Sequence, residues 1–155
     1  MTVSTTAHET FVIERLYDVP VADTFRAWAD PAIKARWFAA SVDEPDCEYA
    51  LDFRVGGREV NHGRPPGGPL YTYESVYRDI VAEQRIVYTY EMHADDTLLS
   101  VSIATVEFRS KDASTQLILT EQGVFLDGHD TSAQREEGTR QLMESLATVL
   151  AGTSA

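Results

Sequence analysis

Apolar and polar residues alternate with a period of two along most of this chain and give way to helical spacing near its start and at its end. Phe11, Ile13 and Tyr17 alternate against Val12, Glu14 and Asp18, which predicts a strand over residues 11–19, closed by Pro20. From Val21 the spacing is helical: Phe25 goes with Trp28 and Ala29, and Asp23 lies in the first turn. Asp30-Pro31 interrupts this helix, because a residue before proline is pushed out of helical geometry. Pro31 suits the first position of a second short helix over 31–37, which turns Ile33, Trp37 and Phe38 to one side.

Strands follow. Residues 47–54 set Tyr49, Leu51 and Phe53 on one face, Gly56-Gly57 is a turn, and residues 58–62 form the second arm of a hairpin. Residues 63–69, with Pro65-Pro66-Gly67-Gly68, read as a loop. The segment 70–81 carries Tyr71, Tyr73 and Tyr77 on one face. The segment 85–92 sets Ile86, Tyr88, Tyr90 and Met92 against Arg85, Val87, Thr89 and Glu91. Residues 98–110 and 116–122 complete the strands, and 123–130 form an elbow containing Gly123 and the turn pair Asp127-Gly128.

The last element is a long amphipathic helix. Thr131 with Gln134 is a capping-box pair, Asp130 places negative charge where the helix dipole favours it, and Gly152 signals the end. At 100° per residue, Gly138, Leu142, Met143, Leu146, Val149 and Leu150 share one side, against Glu136, Glu137, Arg140, Glu144 and Ala147 on the other. Arg135 and Thr139 interrupt the stripe in its first turns. Two readings are open: Arg135 snorkels from the end of the stripe to water, or this end faces a cavity, with Arg135 paired to a carboxylate such as Glu121 or reaching a ligand oxygen.

This order predicts an α+β fold: a curved antiparallel sheet of about six or seven strands wrapped round a long C-terminal helix, with two short helices after the first strand. A curved sheet round one helix leaves room for a pocket, the default site. The length of 155 residues suits a single domain over 11–151, between a flexible N-terminus at 1–10 and a tail at 152–155.

Composition narrows the partners. A net charge of -12, with the acids spread along the chain, argues against nucleic acid. The single cysteine, Cys47, excludes an intrachain disulfide and reads as packing. Neither a signal peptide nor an apolar run long enough to span a membrane is evident, so a cytoplasmic location is expected.

Several stretches resemble a known family. Residues 11–15 (Phe-Val-Ile-Glu-Arg) leading to Asp18-Val19-Pro20, then 25–31 (Phe-Arg-Ala-Trp-Ala-Asp-Pro) and Ala35-Arg36-Trp37-Phe38, resemble the opening of the START-like (SRPBCC, Bet v 1-type) superfamily. Residues 53–57, Asp79-Ile80, 85–91 and 119–125 are similar, in the same order, to the branch named for the C-terminal domain of the Hsp90 ATPase activator. The resemblance spans 11–150 and implies the helix-grip fold. Members of the branch are mostly small bacterial single-domain proteins. The superfamily spans lipid and hormone carriers, aromatic polyketide cyclases and chaperone partners, so the fold alone does not choose an activity. The branch has no catalytic signature, and no catalytic residue is carried over.

The residues themselves point to a cavity. Trp28, Trp37 and Phe38 gather on the short helices as core or as its aromatic mouth; Tyr73, Tyr88, Tyr90 and Phe125 come from the strands and the elbow, and Thr139, Leu142 and Leu146 from the helix. Arg135, Glu121 and the tyrosine hydroxyls supply polarity, although the plain structural reading, an ion pair and core rings with wet hydroxyls, is favoured for each. His8, His62, His93 and His129 lack the spacing of metal ligands, and no metal or cofactor is expected. No nucleophile elbow is present. The expected function is binding of a small hydrophobic ligand, aromatic or acyl, with a homodimer compatible. A cyclase- or hydrolase-type enzyme in the same cavity is the first alternative. The second is an interaction module for a chaperone ATPase, ranked lower because the named activator works with a separate N-terminal domain.

Overall fold

The computed structural model describes residues 3–39 and 46–153. Strand β1 (Thr6–Tyr17) is followed by helices α1 (Val21–Ala29) and α2 (Pro31–Phe38). Strands β2 (Glu48–Leu51), β3 (Arg58–Gly63), β4 (Tyr71–Val81), β5 (Arg85–Ala94), β6 (Thr97–Lys111) and β7 (Ser114–Leu126) come next, and helix α3 (Ser132–Thr153) ends the chain. The strands form one curved antiparallel sheet in the order β1-β7-β6-β5-β4-β3-β2. From β2 to β7 it is a meander, and β1 closes the far edge beside β7. This is the helix-grip architecture that the alternation and the family motifs predict.

Local chemistry sets the helix starts. The Asp30 carboxylate accepts hydrogen bonds from the backbone N–H groups of Ala32 and Ile33, at 2.9 and 3.4 Å, so α2 starts immediately after α1 stops. The Thr131 hydroxyl accepts from the Gln134 N–H at 3.1 Å and caps α3. Before it, Asp127 (φ 56°) and Gly128 (φ 71°) both take the left-handed conformation that reverses the chain.

Several boundaries differ from the sequence pattern. The sheet reaches into the expected flexible N-terminus: residues 6–10 belong to β1 and pair with residues 122–126 of β7, although their side chains are exposed and show no alternation. Backbone pairing needs no apolar signal. The elbow expected from Gly123 is, up to Leu126, the last part of β7. Gly123 keeps that strand close to β6, where a Cβ would stand 2.8 Å from the Ser102 hydroxyl. Strand β2 is shorter than 47–54, with half-buried Cys47 just before it, and α3 runs through Gly152. Residues 1, 2, 154 and 155 of the expected termini lie outside the described residues.

The core lies on the concave side. Ile13, Ile86, Val106, Leu117 and Leu119 from the sheet meet Met143, Leu146, Val149 and Leu150 of α3, all of them buried. Burying each such side chain stabilises the fold by roughly 1.5–3 kcal/mol. These helix residues all come from the second half of α3. In its first half the positions at the cavity are Arg135, Gly138, Thr139 and half-buried Leu142, of which Gly138 is exposed at the rim. The helix therefore seals one end of the concave layer and leaves the other open.

Candidate functional site

Beneath the first turns of α3 lies a cavity of about 280 Å3, just below the roughly 300 Å3 at which small-molecule sites begin. Its walls are rings: Trp28 from α1, Trp37 and Phe38 from α2, Tyr73 from β4, and Tyr88 and Tyr90 from β5. Glu121, Arg135, Thr139 and Leu142 complete the set that the sequence placed there. Two expected residues do not line it. Leu146 is fully buried in the core one turn further along α3. Phe125 is buried behind Arg135, its ring centre 5.4 Å from the guanidinium carbon.

The structure adds lining residues that the sequence reading missed: Asn61, Met92, Leu119, Asp130, Gln134, Gly138 and Met143. Gly138 and Met143 carried a signal, because both lie on the apolar helix stripe. Gln134 and Gly138 are exposed and mark the open side.

The polar end is one connected network. Arg135 Nη1 donates to the Tyr90 hydroxyl at 2.9 Å, and that hydroxyl donates to Glu121 Oε2 at 2.6 Å. Arg135 Nη2 donates to Ser100 Oγ at 2.9 Å and to Asp130 Oδ2 at 2.7 Å. Of the two readings of Arg135, snorkelling to water is thereby corrected: its side chain is 11% exposed. The expected direct pairing with Glu121 is corrected as well. The partner is Asp130, which also accepts from the Thr131 N–H at 2.8 Å, and Tyr90 stands between Arg135 and Glu121.

Burial shapes the titration of this network. Glu121 is 3% exposed, and loss of water holds its carboxyl above the ordinary range, opposed by the Tyr90 hydrogen bond and by Arg135. Burial, with Glu121 alongside, keeps the Tyr90 hydroxyl protonated. Burial alone would lower Arg135, but Tyr90 and Asp130 outweigh it and hold the guanidinium charged.

A second polar cluster lies behind the aromatic wall. Lys34 Nζ donates to Glu59 Oε1 at 2.7 Å, with both side chains 1% exposed. The hydroxyls of Tyr49 and Tyr77 donate to the same carboxylate at 2.6 and 3.2 Å. The ammonium lies 4.4 Å from the Phe38 ring centre and 5.2 Å from that of Trp28. Burial lowers the Lys34 pKa against the pull of Glu59. The sequence reading gave Lys34 no role, although its i, i+3 and i, i+4 spacing to Trp37 and Phe38 puts it on their face.

Among the described residues no group of three His, Cys, Asp or Glu side chains could hold a metal ion, and no helix is long and apolar enough to cross a membrane.

A family model described as "Activator of Hsp90 ATPase homolog 1-like protein" matches residues 18–151. The chain belongs to that family. It is also similar over its length to two solved structures from rhizobia. A Rhizobium leguminosarum protein is 40% identical, covering 97% of this chain and 99% of its own, with a TM-score of 0.91. A Rhizobium loti protein is 43% identical, covering 94% and 99%, with a TM-score of 0.86. A Chromobacterium violaceum protein, 21% identical over 91% of this chain and 96% of its own with a TM-score of 0.75, shares the fold alone. No curated protein matches. Family membership explains the cavity as a property of the scaffold and leaves its occupant to the side chains that line it.

Proposed function

We propose that this protein binds a small, largely apolar molecule in the cavity under α3. The observation that carries the reading is a space of about 280 Å3 walled by aromatic rings, with polar groups gathered at one end. That is the composition of sites which bury a ligand body and orient it through few hydrogen bonds. The volume suits a guest of one or two rings.

Trp28 and Trp37 are the only tryptophans in the chain and both line the cavity, so their emission reports occupancy. Titration with single-ring and two-ring aromatic compounds is expected to change that emission saturably and to raise the melting temperature. Gly138→Leu, at a lining position where an added Cβ meets nothing within 4 Å, narrows the opening and weakens binding while the fold persists. If no compound of this size gives a saturable change, the reading is wrong.

A second reading, proton-transfer catalysis of the cyclase or hydrolase kind in the same cavity, is supported by Glu121. A buried carboxyl held above its ordinary range is suited to general acid or base work. Turnover that survives Glu121→Gln unchanged would remove it.

A further inference from the structure

The charges around the cavity do not balance. Among its described lining residues the charged side chains are Arg135, Asp130 and Glu121. Arg135 is committed: Asp130 neutralises it at 2.7 Å, Tyr90 and Ser100 take further donors, and its guanidinium lies against the rings of Tyr90 and Phe125. Lys34, behind the aromatic wall, is neutralised by Glu59 in the same way. Glu121 is left without a cation of its own. Among the described residues its one hydrogen bond, from Tyr90, goes to Oε2, which leaves Oε1 for a guest.

We propose that the preferred guest is a small organic cation, an amine on an aromatic or compact apolar body, whose ammonium group sits on Glu121 Oε1. This rests on the carrier reading above. An ammonium donates to the open oxygen of Glu121, a charge-assisted hydrogen bond that favours the ionised carboxyl against the burial that opposes it. The rings of Tyr73 and Tyr88 line the same space, and aromatic walls favour a cationic guest. A carboxylate guest meets the opposite conditions, because Glu121 repels it and Arg135 has no free charge to offer. The net charge of -12 draws cations towards the protein from a distance.

The test compares three ligands of nearly one shape at neutral pH: phenethylamine, phenethyl alcohol and phenylacetate. Affinity is read from tryptophan emission and calorimetry on the full chain. Phenethylamine is expected to bind at least about tenfold more tightly than the alcohol, with phenylacetate weakest. Glu121→Gln should erase the advantage of the amine over the alcohol, with melting confirming that the variant is folded. Asp130→Asn, which releases the charge of Arg135, should raise the affinity for phenylacetate. An alcohol or carboxylate that binds wild-type protein as tightly as the amine overturns the cation proposal and leaves the carrier reading standing. Binding by none of the three overturns the cation proposal, and the carrier reading falls with it only if the two-ring compounds fail as well.

Discussion

Two buried polar clusters share the concave side of one sheet, and they are finished differently. In the Lys34–Glu59 cluster both ions are 1% exposed and the carboxylate collects an ammonium and two tyrosine hydroxyls. That cluster ties α2 to β2, β3 and β4 and leaves no room for a guest. In the Glu121 cluster the carboxylate has one tyrosine hydroxyl, and the cavity opens beside it. A buried ion that its own protein satisfies is a fastening. One left half-satisfied over a void is the mark of a binding position.

The largest effect expected from this contrast is on stability. Lys34→Met strands Glu59 in a dry site and is expected to cost about 3–5 kcal/mol in chemical denaturation, largely recovered by adding Glu59→Gln. Arg135→Met strands Asp130, which is 19% exposed and within reach of water, and costs less, about 1.5–3 kcal/mol. Equal losses in the two variants would erase the distinction between the clusters.

A pH series sharpens it. The folded-state pKa of Glu121 is raised, so its stabilising contribution is complete when the carboxyl is protonated, below the unfolded value of about 4.3, and is lost as pH rises through the folded value. Glu121→Gln, in unliganded protein, should therefore raise the melting temperature near pH 7, with the gain shrinking towards pH 4. A gain that grows on acidification would contradict the assignment.

The smallest effect concerns the opening. Gly138 lies inside α3 with open space where a Cβ would go, so Gly138→Ala should stabilise the protein by about 0.5–1 kcal/mol, read by thermal melting. Destabilisation instead would mean that the space there is not open.

Much of the fold was legible because backbone and burial follow periodicity. Ile86, Tyr88 and Tyr90 point inward as their alternation requires, and Thr131 caps α3 as its spacing to Gln134 requires. Residues 6–10 escaped because an exposed edge segment is held by main-chain pairing, which leaves no trace in side-chain pattern. Lys34 and Glu59 escaped because periodicity treats a charge as a surface signal. In β3 the alternation read alone would turn Val60 inward, whereas the structure buries Glu59 completely, with Lys34 as its partner.

The order of residues thus determined which side chains share a face, where the helices start and which scaffold family the chain joins. Which charge meets which was decided only by tertiary structure. Arg135 takes Asp130, five residues away, in place of Glu121, while Lys34 reaches Glu59 across 25 residues. Secondary structure follows from interactions a few residues long, but partner choice depends on how the sheet curves beneath α3. That curvature, with the small residues in the first half of the helix, also leaves the cavity that no local pattern specifies.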